Sequence, residues 1–195
     1  VINLLGINNN EHVQAVINVA NPGENDNRDL FFTTVQGTVK RTPVDEFANI
    51  RSNGLKAINL KEDDELIDVD IINADANMII GTHLGYAVSF AATDVRSMGR
   101  SATGVRGIRL REHDYVIGAS VLKPDSKVFV ISEKGYGKQT AAAEYPIKGR
   151  GGKGIKTVNV STKNGPLAGL TTLDGDEDIM LVTNKGVMIR FSASD

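Results

Sequence analysis

The sequence repeats itself about every 50 residues, so its fold must be assembled from copies of one unit. Short apolar runs end at a glycine four times: DLFFTTVQG at Gly37, NMIIGTHLG at Gly85, KVFVISEKG at Gly135 and DIMLVTNKG at Gly186. The steps are 48, 50 and 51 residues. A second series, GLKAINL, GVRGIRL and GIKTVNV, starts at Gly54, Gly104 and Gly154 in steps of 50. Nine residues after each turn glycine stands an acid: Glu46, Asp94, Glu144 and Asp195. Three markers held in register do not arise from composition.

Each full repeat reads as four strands. The runs are LFFTT, TVKRT, LKAINL and LIDVDII, then MIIGT, YAVSF, VRGIRL and YVIGASVL, then VFVIS, YGKQT, IKTVNV and LAGLTTL. They are rich in β-branched and aromatic residues and too short for helices. VQG and its counterparts suit tight hairpins, where glycine takes a positive φ without a Cβ penalty. The link between the second and third runs, such as PVDEFANIRSNG, has room for a single helical turn. The chain therefore reads as one all-β domain over residues 1–195, built from four-stranded, propeller-like blades. Full repeats fall at about 29–72, 77–122 and 127–173, with partial ones at 1–19 and 178–195. Sixteen strands are expected, and NPGENDNRD (21–29) reads as an enlarged loop. A β-sandwich is the competing arrangement, but it gives no reason for the register.

The formal net charge is only −2, yet the charges are segregated by phase within the repeat. The segment from the turn glycine through the third run is basic. It carries Lys40, Arg41, Arg51 and Lys56 in the first copy, and Arg96, Arg100, Arg106 and Arg109 in the second. The third copy has Lys138, Lys148, Arg150, Lys153 and Lys156, and the last has Lys185 and Arg190. The following loops, KEDDELIDVD and REHD, are acidic and read as solvated surface, as does LDGDEDI between repeats. Equal phases of equivalent blades lie at equivalent places, so the pattern predicts a basic rim. Such a rim suits a polyanion following the perimeter, with duplex DNA the expected partner. An acidic protein bound to a propeller scaffold is the alternative. It would need clustered aromatic anchors rather than cations spread over blades.

The densest basic stretch is KGRGGKGIK, from Lys148 to Lys156. It fits G-x-G-x-x-G, but a dinucleotide fold needs a helix after the glycines, and IKTVNV reads as a strand. It also lacks the hydroxyl residue that a P-loop places after its lysine. As a blade link it offers Arg150 and Lys153 to phosphates, and its glycines would let backbone N–H groups approach closely.

At LFFTTVQGTVKRT, FANIRSNGLKAINL, DVRSMGRSATGVRGI, EKGYGKQT and GRGGKGIKT the chain resembles the C-terminal DNA-wrapping domains of DNA gyrase A subunits. The resemblance covers nearly the whole chain. It implies a β-pinwheel of about six blades that bends duplex DNA around its outer edge. It implies further that strand passage, using ATP and Mg²⁺, happens elsewhere in an enzyme of two A and two B subunits. No cofactor is then expected in this chain, and a cytoplasmic, nucleoid-associated location is implied. The family's box, Q-R-R-G-G-K-G, has its nearest match at Lys148–Gly154, with Gly149 in place of one arginine and Lys148 in place of glutamine. Arg150, Gly151, Gly152, Lys153 and Gly154 are carried over as DNA-contact candidates. The corresponding subunit of topoisomerase IV has a similar domain and is the related alternative.

No catalytic site is expected. His12, His83 and His113 lie in different repeat phases, and the sequence has no cysteine. Tyr86 and Tyr136 both follow turn glycines, so they mark a repeat position rather than a nucleophile. There is no apolar run long enough for a membrane span, and VINLLGINNN lacks the features of a signal peptide. Because VINLL aligns with AINLK, the chain reads as a fragment beginning part-way through a repeat.

Overall fold

A computed structural model describes residues 13–19, 27–49, 54–175 and 177–194. The first repeat forms β1 (Asp29–Thr34), β2 (Thr38–Pro43) and β3 (Leu66–Ile72). The second forms β4 (Asn77–Thr82), β5 (Tyr86–Ala91), the two-residue β6 (Val105–Arg106) and β7 (Val116–Val121). The third forms β8 (Lys127–Ser132), β9 (Gly137–Ala141), the two-residue β10 (Ile155–Lys156) and β11 (Leu167–Leu173). A last hairpin comprises β12 (Asp178–Val182) and β13 (Met188–Ser192). Each link opens with one 3-10 turn, at Val44–Phe47, Ala92–Asp94 and Ala142–Glu144.

The all-β, bladed expectation holds, but the blades are not the repeats. The sheet orders are β3-β1-β2-β6, β10-β5-β4-β7, β11-β8-β9 and β12-β13. In the second and third repeats the third run leaves its own sheet and completes the one before. Val105 and Arg106 pair with Val39 and Thr38, and Ile155 and Lys156 pair with Ala87 and Tyr86. Thirteen strands form among the described residues rather than sixteen. Residues 55–60 make no strand, and no earlier hairpin exists among the described residues to receive them.

Why the third run migrates is visible in its backbone bonds. Gly107 donates its N–H to Gly37 O at 2.8 Å, and Thr157 donates to Gly85 O at 2.9 Å. Upstream, Met98 donates to Arg41 O and Lys148 to Ser89 O, both at 2.9 Å. Buried peptide groups must find partners, and these links find theirs on the preceding hairpin. Each link begins its short strand at a glycine pressed against that hairpin. A Cβ on Gly104 would lie 2.4 Å from Val39 O, and one on Gly154 would lie 2.5 Å from Ala87 O. Both glycines also have positive φ, 108° and 74°. Only glycine combines that turn with that approach.

The sheets pack in chain order with a separate core between each adjacent pair. Phe31, Val39, Ile72, Met78, Ile80, Phe90 and Val116 fill the space between the first and second. Ile79, Val128, Val130, Leu167 and Leu170 fill that between the second and third. Phe129, Leu173, Ile179 and Ala193 join the third to the last hairpin. A central strand such as β4 therefore buries both faces, Ile80 one way and Ile79 the other, which explains its unbroken apolar run.

The acidic loops are not simply solvated. Asp64 is buried, and its Oδ1 accepts the N–H groups of Gln36 and Glu65, both at 2.9 Å. Asp114 does the same one repeat later for Leu84 at 2.9 Å and Tyr115 at 3.0 Å. These carboxylates pin the hairpin turns. On β3, Asp70 lies opposite Phe31, where the next two sheets place Ser120 opposite Ile79 and Thr171 opposite Phe129. Burial, helped by repulsion from Asp68, pushes the Asp70 carboxyl up to about 7.

Two stability experiments follow. Gly154→Ala is expected to cost more than about 2 kcal/mol in denaturant unfolding, from strain at positive φ plus the clash. Gly54→Ala, with positive φ but nothing within 4 Å of the added Cβ, is expected to cost only about 1 kcal/mol. For Asp70, the folded state holds a proton that the unfolded state releases near pH 4. Stability should therefore fall as pH rises from about 4 to about 7. Asp70→Ser, which installs the next repeat's residue, is expected to flatten that dependence. It should also raise stability at pH 8 by on the order of 2 kcal/mol, read from unfolding curves at several pH values.

Candidate nucleic-acid interface

Because the second and third links are laid on the preceding hairpins, Arg106 and Lys156 stand on the outermost strands of their sheets. Lys56, Arg106 and Lys156 occupy the same repeat position and are all exposed. Three residues on, the copies differ. Lys56 donates to Asn59 Oδ1 at 2.8 Å, and Lys156 to Asn159 Oδ1 at 3.5 Å. In the middle copy the pair is Arg106 and Arg109, two exposed guanidinium groups.

The GRGGKG stretch runs across this surface. Gly151 donates its N–H to Gly107 O at 2.6 Å, and Gly152 O accepts the N–H of Arg109 at 2.8 Å. The Gly151 N–H is thus spent on the neighbouring link and is not offered to a phosphate. Arg150 donates through Nε to Asp94 O at 2.8 Å and through Nη1 to Arg106 O at 3.1 Å. The loop's geometry is a seam between successive links. Lys148 and Lys153 line a cleft beside it with Gly149, Gly152 and Ser89.

The basic candidates fall into distinct groups. Lys40 is fully buried, and its Nζ donates to Ala57 O and Arg100 O at 2.5 Å each. Burial, and then repulsion from Arg100, lowers this amine to about 8 despite the opposing pull of Glu46. It is a structural tie between two links, not a rim charge. Lys138 repeats the tie more loosely, reaching Thr157 O at 3.3 Å from an exposed position. Arg41 is largely buried beside Asp29, 3.5 Å away. Arg100 is half-buried and lies 3.9 Å from Glu46, one of the recurring acids. Arg190 donates through Nε to Asp178 Oδ2 at 2.9 Å. Arg96, Arg106, Arg109, Lys148, Lys153 and Lys185 are exposed, and their side chains make no hydrogen bond or ion pair among the described residues. Arg51 lies outside the described residues, as do His12 and the acid Asp195.

Two cations were missed by the phase pattern. Lys61 and Arg111 are again 50 residues apart, just beyond the third run, and each heads an acidic loop. The Arg111 guanidinium lies over the Tyr86 ring, 3.3 Å from its centroid, and donates to Lys153 O at 2.6 Å. Extending the 50-residue register by one residue finds both. Among the described residues, no group of His, Cys, Asp and Glu could hold a metal ion. None of the described helices is long and apolar enough to cross a membrane.

Comparison with known proteins agrees with this architecture. A family model described as "DNA gyrase C-terminal domain, beta-propeller" matches residues 28–73, 76–123, 126–172 and 177–195. The DNA gyrase A protein of Streptococcus pyogenes serotype M3 is 65% identical over the whole chain, and that of Halalkalibacterium halodurans is 57% identical. The chain spans 23% of the length of each. The C-terminal domain of a DNA topoisomerase IV superposes with a TM-score of 0.91 at 26% identity, covering all of this chain and 60% of the other. A DNA gyrase A C-terminal domain superposes with a TM-score of 0.77 at 26% identity, covering 87% of this chain and 57% of the other. With four matched segments falling on its successive repeats, and gyrase A relatives alike along its entire length, the chain belongs to the DNA gyrase C-terminal domain, beta-propeller family.

Proposed function

We propose that this domain binds duplex DNA along the outer edge formed by its successive links, and bends it, as part of a type II topoisomerase. The observation that carries the reading is the spacing of exposed cations. Lys56, Arg106 and Lys156 recur at one position of consecutive links and are all exposed, and Arg106 and Lys156 stand on the outermost strands of successive sheets. A polyanion laid along that edge meets a new positive group at every blade. Binding of this kind is electrostatic and indifferent to base sequence, because the contacts go to phosphates. Aromatic residues are only 5% of the chain, too few for a base-stacking track on single strands. Smoothly bending about 25 base pairs through 40–90° costs roughly 1–6 kcal/mol, and contacts from several blades offset it.

Within the whole enzyme, the domain would present a bent segment for ATP-dependent strand passage carried out by other parts of the A and B subunits, in the cytoplasm. Gyrase A relatives at 65% identity favour gyrase over topoisomerase IV, whose matching structure is 26% identical. The recurring acids fit a structural rather than catalytic role, as the Glu46–Arg100 contact illustrates.

The test is duplex binding against salt, on linear DNA of about 40 and about 140 base pairs. If half a dozen phosphates are neutralised, log K should fall with log salt at a slope of about −5. The longer duplex should bind more tightly than its extra sites alone provide. Weak binding to both at low salt, together with salt-sensitive binding of an acidic peptide, would transfer the rim to a protein partner.

A further inference from the structure

Taking the duplex-binding reading as its basis, we propose that the cleft between the first hairpin turn and the second link is the domain's phosphate anchor. There Lys61, Arg106 and Arg109 together hold one stretch of DNA backbone. The cleft has a volume of about 400 Å³ and is open to solvent. Its walls include Gly37 and Thr38 of the hairpin, with the three cations around them. None of the three side chains makes a hydrogen bond or ion pair among the described residues. The carboxylates that follow Lys61 in sequence, Glu62 and Asp63, are exposed and are not among the walls.

The equivalent place one repeat later shows why this cleft differs. Tyr86 stands where the first repeat has Thr38, and Arg111 where it has Lys61. Arg111 lies 3.3 Å over the Tyr86 ring and donates to Lys153 O, so the second cleft is occupied by its own side chains. Asn159 replaces Arg109 there and accepts from Lys156. A phosphate arriving at the second cleft must displace an arginine from its stacking partner and its carbonyl. At the first cleft it meets free charge and breaks nothing. Two guanidinium forks three residues apart also suit adjacent phosphate oxygens better than amines do. The second repeat's double arginine and the first repeat's small Thr38 thus combine in a site that neither repeat forms alone.

The experiment compares two triple variants of the full chain that remove equal charge. One is Lys61→Ala, Arg106→Ala and Arg109→Ala; the other is Lys148→Ala, Lys153→Ala and Lys156→Ala. Both are titrated with a 40-base-pair duplex over a range of salt. The cleft variant is expected to lose at least tenfold more affinity than the other, with its salt slope shallower by about 2–3 than that of the unaltered chain. Arg106→Ala and Arg109→Ala taken singly, where folding is least at risk, should each cost threefold or more. Equal losses in the two triple variants, or single variants that bind like the unaltered chain, would overturn the anchor while leaving the duplex-binding reading intact. Failure of the unaltered chain to bind duplex at low salt would overturn that reading and the anchor with it.

Discussion

Everything distinctive about this domain depends on backbone hydrogen bonds that run backwards, from the link of one repeat to the hairpin of the repeat before. The N–H groups of Gly107 and Thr157 reach Gly37 O and Gly85 O, and those of Met98 and Lys148 reach Arg41 O and Ser89 O. These bonds couple neighbouring blades through the chain itself as well as by packing, because a strand of one repeat is an edge strand of the other. They cover the otherwise open edges of β2 and β5, which would present unpaired groups to other chains. They also decide where charge goes. A link that lies on the outside of a sheet can carry arginines and lysines at the perimeter without burying them.

The same constraint divides the basic residues into two kinds. Some hold the links in place. Lys40 is buried between Ala57 O and Arg100 O, and Arg150 reaches Asp94 O and Arg106 O. Others stand exposed with no partner among the described residues, Arg96, Lys148 and Lys153 being examples. Removing a member of the first kind takes a donor away from the link carbonyls and acts on stability, most at the buried Lys40. On the proposed function, removing a member of the second acts on binding and leaves the cores untouched. A charge-deletion survey that pooled the two would confuse unfolding with lost contact. The glycine-rich stretch belongs to the first kind in its backbone and to the second at the exposed Lys153.

Much of this was legible in the sequence. The spacing of Gly37, Gly85, Gly135 and Gly186 placed the hairpins, and the apolar runs placed β1, β4 and β8. The series at Gly54, Gly104 and Gly154 marked the links. Its strands were misassigned to their own repeats because a run such as VRGIRL does not reveal its partner. Strand pairing between distant segments depends on which edge is free, and that is a property of the assembled sheets. Burial of individual charges was equally hidden. Lys40 and Lys138 share a repeat position, yet one is fully buried and the other exposed. Asp64 and Asp114 looked like members of solvated loops, and only the fold brings Gln36 N and Leu84 N within reach of them. The cleft at Lys61 was missed because it joins residues of two repeats.

The measurement that tests the central claim most directly uses the absence of cysteine from the chain. A single cysteine placed at Lys56, Arg106 or Lys156, and at Ala74 as a control away from the links, can carry a DNA-cleaving reagent. An outer-edge path predicts cleavage from all three link positions, at sites ordered along the duplex as the links are ordered in the chain. It predicts none from Ala74. Cleavage from Ala74, or from a single link alone, would contradict a path along successive blades.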